Sequence, residues 1–229
     1  MLRPDSNRDH SGSSLLAPLL RFVANKCQRF YFRAVESVGH HKRDILIGRV
    51  GNARDGLRDA KEQFKNALEK FTELTEFEGG ELENVYREVK LEFDYSYAKA
   101  LAVKDRIDAV QDVAEALFAE WEGELDQYSN RSLRTASRQK MKQTQQLYGQ
   151  LITAMRKAEG KIEPVLRVFH DQVLFLKHNL NAQAVAALQG ELMTLSVGVA
   201  GLIIAMEQSI NRADDFMSTM TSQKALPSK

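Results

Sequence analysis

Phosphate chemistry would need a glycine-rich loop carrying a lysine, and the chain offers one candidate. Gly51-Asn52-Ala53-Arg54-Asp55-Gly56 has the glycine spacing, but Leu57 and Arg58 stand where Lys and Ser/Thr must be. Without that lysine the phosphates have no cation, and the stretch lies inside a heptad run. Metal chemistry would draw on His10, His40, His41, His170 and His178. None belongs to a Glu-x-x-His or His-Glu-x-x-His pattern, which argues against a di-iron bundle or a zinc protease. His40 and His41 with Asp44 are the nearest approach to a ligand set, but neighbours on a helix point in different directions. His170 and His178 read as partly exposed helix residues. Cys27 is the single cysteine, which excludes an intramolecular disulfide and a Cys-rich zinc site. No Ser, His and Asp form a readable triad, and carboxylates are spread as they are on any helical surface. The expectation is a chain that is not an enzyme, with no catalytic residues, cofactor, metal or evident small-molecule substrate.

The elements that would have to position a site are long helices. Of four prolines, Pro164 alone lies between Leu19 and Leu226. Helix 1 is expected from about Lys42, after a break at Gly39-His40-His41, to Glu76; its seams hold Val50, Leu57, Phe64, Phe71 and Leu46, Ala53, Ala60, Ala67, Leu74. Gly79-Gly80 should stop it. Helix 2 should run from about Glu81 to Tyr128 on Tyr86, Phe93, Ala100, Ile107, Ala114, Trp121, Tyr128 and Leu82, Val89, Ser96, Val103, Val110, Leu117. After the turn Ser129-Asn130-Arg131-Ser132, with Asn130 or Ser132 as the cap, helix 3 should reach His178 on Met141, Tyr148, Met155, Ile162, Phe169 and Leu176. Its heptad phase persists through Pro164, which predicts a kink there and no break. Helix 4 should start after the cap Asn181 and end near Met220, on seams Val185, Leu192, Val199, Met206, Ala213 and Leu188, Leu195, Leu202, Phe216. Short loops make neighbours antiparallel. The predicted fold is all-α: an elongated antiparallel bundle or coiled coil of four long helices. Helices 2 and 3, read as the longest, form an overhanging hairpin. The expected organisation is a disordered 1–14, an apolar and basic segment 15–40, the bundle 41–220, and a disordered tail 221–229.

Lys+Arg is 32 and Asp+Glu 31, so bulk charge does not select a polyanion. The charges are nevertheless segregated. Asp108, Asp112, Glu115, Glu120, Glu122, Glu124 and Asp126 precede the hairpin turn, and Arg131, Arg134, Arg138, Lys140, Lys142, Arg156 and Lys157 follow it. A turn near Asn130 places Asp126 by Arg134, Glu122 by Arg138 and Glu120 by Lys140. Mutual neutralisation sets register; a nucleic-acid site at Arg131–Lys142 is the less favoured reading. The hairpin tip, Tyr128, Ser129, Asn130 and Arg131, is the candidate partner-binding surface, with ordinary turn chemistry as its competitor.

Two stretches raise membranes. Leu195–Met206, LSVGVAGLIIAM, is apolar on nearly every face but too short to span a bilayer. The expectation is that helix 4 is most central here, with Gly198 and Gly201 allowing close helix contact; a latent membrane-inserting segment is the alternative. Residues 15–35 combine Phe22, Phe30, Tyr31 and Phe32 with Arg21, Lys26, Arg29 and Arg33, a composition suited to an interfacial anchor, a degenerate secretory signal, or a helix docked on the bundle.

HKRDIL (His41 to Leu46), RIDAVQDVAEALFAEWEGELDQYSN (Arg106 to Asn130) and DQVLFLKHNLNA (Asp171 to Ala182) resemble a bacterial domain-of-unknown-function family, numbered two-nine-five-nine, over about Cys27 to Met217. The resemblance implies envelope proteins whose leader ends in a lipidated cysteine before a Tyr-rich start, with Cys27 and Tyr31 at the matching places. Against lipidation of Cys27 stand Lys26, where processing wants a small residue, and the fourteen polar residues that come first. Some relatives carry a DNA repair ATPase label, which fits coiled-coil likeness to long ATPase arms. The functional expectation is a non-catalytic coiled-coil scaffold or docking protein of the cell envelope or its periplasmic side. It would have a protein partner or associate with itself, and the amino-terminal segment could contact a membrane surface; nucleic acid is not expected. The alternatives are a nucleic-acid-associated protein with the ATPase label and a membrane-binding or membrane-remodelling bundle.

Overall fold

The computed structural model describes residues 16–76, 82–179 and 181–225, with the side chains of 16–41, 182 and 223–225 outside that description. The helices are α1 (Leu16–Thr75), α2 (Leu82–Leu125), α3 (Arg131–His178) and α4 (Ala182–Ala225). Among the described residues there is no strand. The chain divides into two compact units, residues 1–42 and 43–229. Of the first, the helical course of α1 from Leu16 is what is described. The expectations for 1–14, for Gly79-Gly80 and for the last four residues fall outside the described residues, as do the side chains of Phe22, Cys27, Phe30, Tyr31 and Phe32.

Two expectations are corrected. The break at Gly39-His40-His41 does not occur, because α1 runs through it. One interior glycine costs a helix only about 1 kcal/mol, and neither His nor Gly removes a backbone donor as proline does. In consequence α1, at 60 residues, is the longest helix, ahead of α3 at 48 and α2 and α4 at 44 each. At the other end α4 continues five residues past the expected Met220, to Ala225. Within the second unit, α2 to α4 are each roughly 66–72 Å long at ~1.5 Å per residue.

The second unit is a ring in which each helix lies antiparallel to its neighbours. Arg106 donates to the Asn52 carbonyl at 3.2 Å and Lys99 to Asp59 at 3.1 Å, pairing α2 with α1 in opposite directions. Arg54 meets Asp214 at 2.8 Å and Lys61 meets Glu207 at 3.5 Å, joining α1 to α4. Trp121 Nε1 donates to Ser137 Oγ at 2.9 Å, and Arg156 meets Asp108 at 2.7 Å, joining α2 to α3. Gly198 packs α4 on Val165 of α3. Across the centre, the Phe71 and Phe169 rings meet edge-on at 6.0 Å.

The heptad reading holds at the core. All nine seam positions of α1 from Leu46 to Leu74 are at most 1% exposed. Large residues alternate with Ala53, Ala60 and Ala67, so facing layers interdigitate. Residues of all four helices form one cluster. Pro164 lies inside α3 without ending it, and Ile162, Val165, Leu166 and Phe169 on either side are buried. Packing outweighs the one backbone bond that proline forfeits. The caps are asparagines. Asn130 accepts from the backbone N–H of Ser132 (2.9 Å) and Leu133 (3.3 Å), and Asn181 from that of Ala184 (2.9 Å).

Candidate functional site

The hairpin tip is brought together as expected, and all residues from Asp126 to Leu133 are exposed. Asn130 spends its carbonyl on capping α3. Arg134 and Asp126 form the predicted ion pair. Among the described residues no ion pair joins Glu122 to Arg138. Tyr128 keeps 40% of its surface exposed. Just below the tip, Trp121, Leu125 and Met141 form a separate small cluster with Phe118. The Arg43 guanidinium lies 4.2 Å from the centre of the Trp121 ring, a cation–π contact. Burial holds Arg43 below the ordinary arginine range, with Glu124 and Tyr128 offsetting part of that. Burial, and then the charge of Arg43, likewise lower Lys140. These contacts tie the hairpin end to α1, while Tyr128, Ser129 and Arg131 at the tip itself stay exposed.

The loop-like glycines are packing devices. A Cβ on Gly51 would lie 3.6 Å from Met217 Sδ of α4, and one on Gly56 would lie 2.4 Å from Arg106 Nη1 of α2. Gly56 is the notch through which Arg106 reaches the Asn52 carbonyl. His170 lies beside the Phe93 ring at 5.5 Å, with Asp171 Oδ1 at 3.8 Å. Among the described residues no three His, Cys, Asp or Glu side chains are placed to hold a metal ion. The side chains of His40 and His41 are outside the described residues.

The surface that sequence reasoning missed is the outer face of α4. The helix was expected to be most central between Leu195 and Met206. Its inner residues Leu195, Val199, Leu202 and Met206 are indeed buried, but Met193 is 71%, Val197 65% and Ile204 56% exposed. An 18-residue window of this helix has mean hydropathy 1.6, long and apolar enough to cross a membrane, yet only 22% of it is buried. The physical reason is geometric: a helix in a four-membered ring turns about half its circumference to its neighbours, and α4 is apolar on the other half too. Of the two glycines, Gly198 does serve close contact, since a Cβ there would lie 3.3 Å from Val165 Cγ2. Gly201 faces the Lys161 ammonium group, 3.8 Å from a Cβ.

Outward positions of α4 repeat every seven residues. From Ala186 to Ile204 they are Ala186, Ala187, Gly190, Met193, Thr194, Val197, Ala200, Gly201 and Ile204, all exposed except the half-buried Gly201 and none charged. Past this point the same positions hold Glu207, Gln208, Asn211, Asp214 and Asp215. The legible signal was the absence of charge on every face between Glu191 and Glu207. A shallow 660 Å³ groove between α3 and α4 continues the surface, lined in part by Gln150, Lys157, Gln208 and Arg212. The arrangement can bind an apolar, shape-matched surface.

No curated protein matches this chain. The family model described as Protein of unknown function (DUF2959) matches residues 31–220, which takes in most of α1 and the whole of α2 and α3. The chain belongs to that family.

Proposed function

We propose that this chain is a non-catalytic helical module that scaffolds or docks at the bacterial cell envelope. The observation that carries the reading is the exposed, uncharged outer face of α4 on a bundle whose interior is filled by its own side chains. A surface of that kind is a contact surface. The charge segregation around the hairpin supports neutralisation in place of phosphate binding, since Asp126–Arg134 and Asp108–Arg156 draw on both blocks. The envelope location rests on the leader pattern that the family resemblance implies, with Cys27 and Tyr31 at the matching places.

The test has two arms. Purified full-length chain is assayed for ATP hydrolysis and for duplex DNA binding at 50 and 200 mM salt; the expected result is neither. Steady ATP turnover, or salt-dependent DNA binding lost on R134A/R138A, overturns the reading. Cell fractionation with intact mass of the recovered chain should find it in the envelope fraction; recovery in the cytosol with an unaltered amino terminus overturns the location. A membrane-binding bundle is the second reading, favoured by the 22% burial of the apolar window of α4. Co-sedimentation with vesicles decides it.

A further inference from the structure

We propose that the outer face of α4 binds a second copy of this chain, antiparallel, about a two-fold axis through Val197. The inference rests on the docking reading above and names its partner. The face is self-complementary in size. When α4 meets an antiparallel copy with Val197 against Val197, Ile204 of each copy falls opposite Gly190 of the other. Met193 then falls level with Gly201 and beside Ala200, and Thr194 level with Ala200 and beside Gly201. Apart from Val197, which meets its own copy on the axis, each large or medium side chain meets a small one, as ridges meet grooves. The large members stay open on the bundle: Met193 is 71%, Val197 65% and Ile204 56% exposed. An isologous interface demands this property of a patch, because the same patch must serve both sides.

The α3 flank agrees. Lys161 of α3 faces Gly201, and Val165 faces Gly198, so the level of Val197 corresponds to about residue 165 of α3. Under the same two-fold, Lys161 of one copy stands within about two residues' rise of Asp171 of the other, and the two charges are opposite. Val168 and Phe175 repeat the heptad position of Lys161, and Phe175 is 41% exposed. The charge-free run, residues 192–206, is roughly 22 Å long at ~1.5 Å per residue. With the α3 flank it would bury about 500 Å² per copy, near the lower limit of specific interfaces, so the dimer should be weak and micromolar. A lipid surface fits less well. The strip has no aromatic residue, six of its nine positions are Gly, Ala or Thr, and the charges beside it, the exposed Glu191 and Glu207, are acidic and repelled by anionic headgroups.

Sedimentation velocity of the full-length chain from 1 to 200 μM should show a concentration-dependent dimer. V197E, which sets two carboxylates together on the axis, should weaken it at least tenfold without changing the far-ultraviolet circular dichroism. V197K should do the same, and mixing V197E with V197K should restore dimers. In a C27S background, a short bis-maleimide should link V197C to itself and leave S218C unlinked. A monomer at 200 μM, or a dimer indifferent to V197E, overturns the proposal. Binding of the monomer to phosphatidylcholine vesicles, lost in V197E, overturns it in favour of a lipid occupant. A monomer leaves the non-catalytic docking reading standing, whereas ATP turnover sinks that reading whatever the oligomeric state.

Discussion

Tyr148 shows how one side chain can report on the bundle. It is half-buried on α3, its ring 5.6 Å from that of Phe118 on α2. Burial, reinforced by the nearby Glu115 carboxylate, pushes its phenol above the ordinary value, with Arg156 opposing. The fold therefore favours the neutral form. Once pH rises past the unfolded value of about 10, the unfolded chain has released this proton and the folded chain has not, so stability falls with rising pH. Y148F should lose less stability than wild type between pH 8 and pH 10.5, measured by urea midpoints; an identical loss would contradict the assignment. The same scale explains the turn at the hairpin tip. Asn130 caps whatever follows it, because its acceptor reaches the backbone two and three residues on.

At the level of elements the glycines separate two effects. Gly48 has no neighbour within 4 Å of an added Cβ, so G48A should stabilise by about 0.5–1 kcal/mol through helix propensity alone. Gly198 faces Val165 at 3.3 Å, so G198L should cost about 1–3 kcal/mol by overpacking the α3–α4 seam. Chemical denaturation of both variants gives the sign directly, and a stabilised G198L would remove the close-approach argument. Sequence spacing placed Gly198 at a helix contact, but it could not distinguish the open Gly48 from the notch at Gly56. That difference depends on Arg106, 50 residues away on another helix. The break expected at Gly39 failed for a related reason. Local propensity is a weak preference, and a helix interior tolerates one glycine.

Over the whole second unit, stability is concentrated in one cluster that includes residues of every helix. Phe71 is fully buried and touches Phe169 across the centre, so F71A should cost about 3–5 kcal/mol. Urea unfolding followed by circular dichroism and by Trp121 fluorescence should shift together by that amount. A shift confined to one probe would mean that the helices unfold separately. Trp121 suits this test because it lies in the small cluster at the hairpin end, apart from the main core.

What the sequence determined alone is what depends on neighbours along the chain: the heptad seams, the asparagine caps, the hairpin turn and the persistence of α3 through Pro164. These follow from side-chain periodicity and backbone hydrogen bonding, which are local. Only the tertiary structure decided which apolar residues remain uncovered. In the run from Leu192 to Met206 the heptad spacing marks Leu195, Val199, Leu202 and Met206 as the inner seam, but with no charge on any side it does not say how much of the remaining apolar face the neighbouring helices cover. Burial is a property of the number and placement of neighbouring helices, and here those neighbours leave Met193, Val197 and Ile204 in the open.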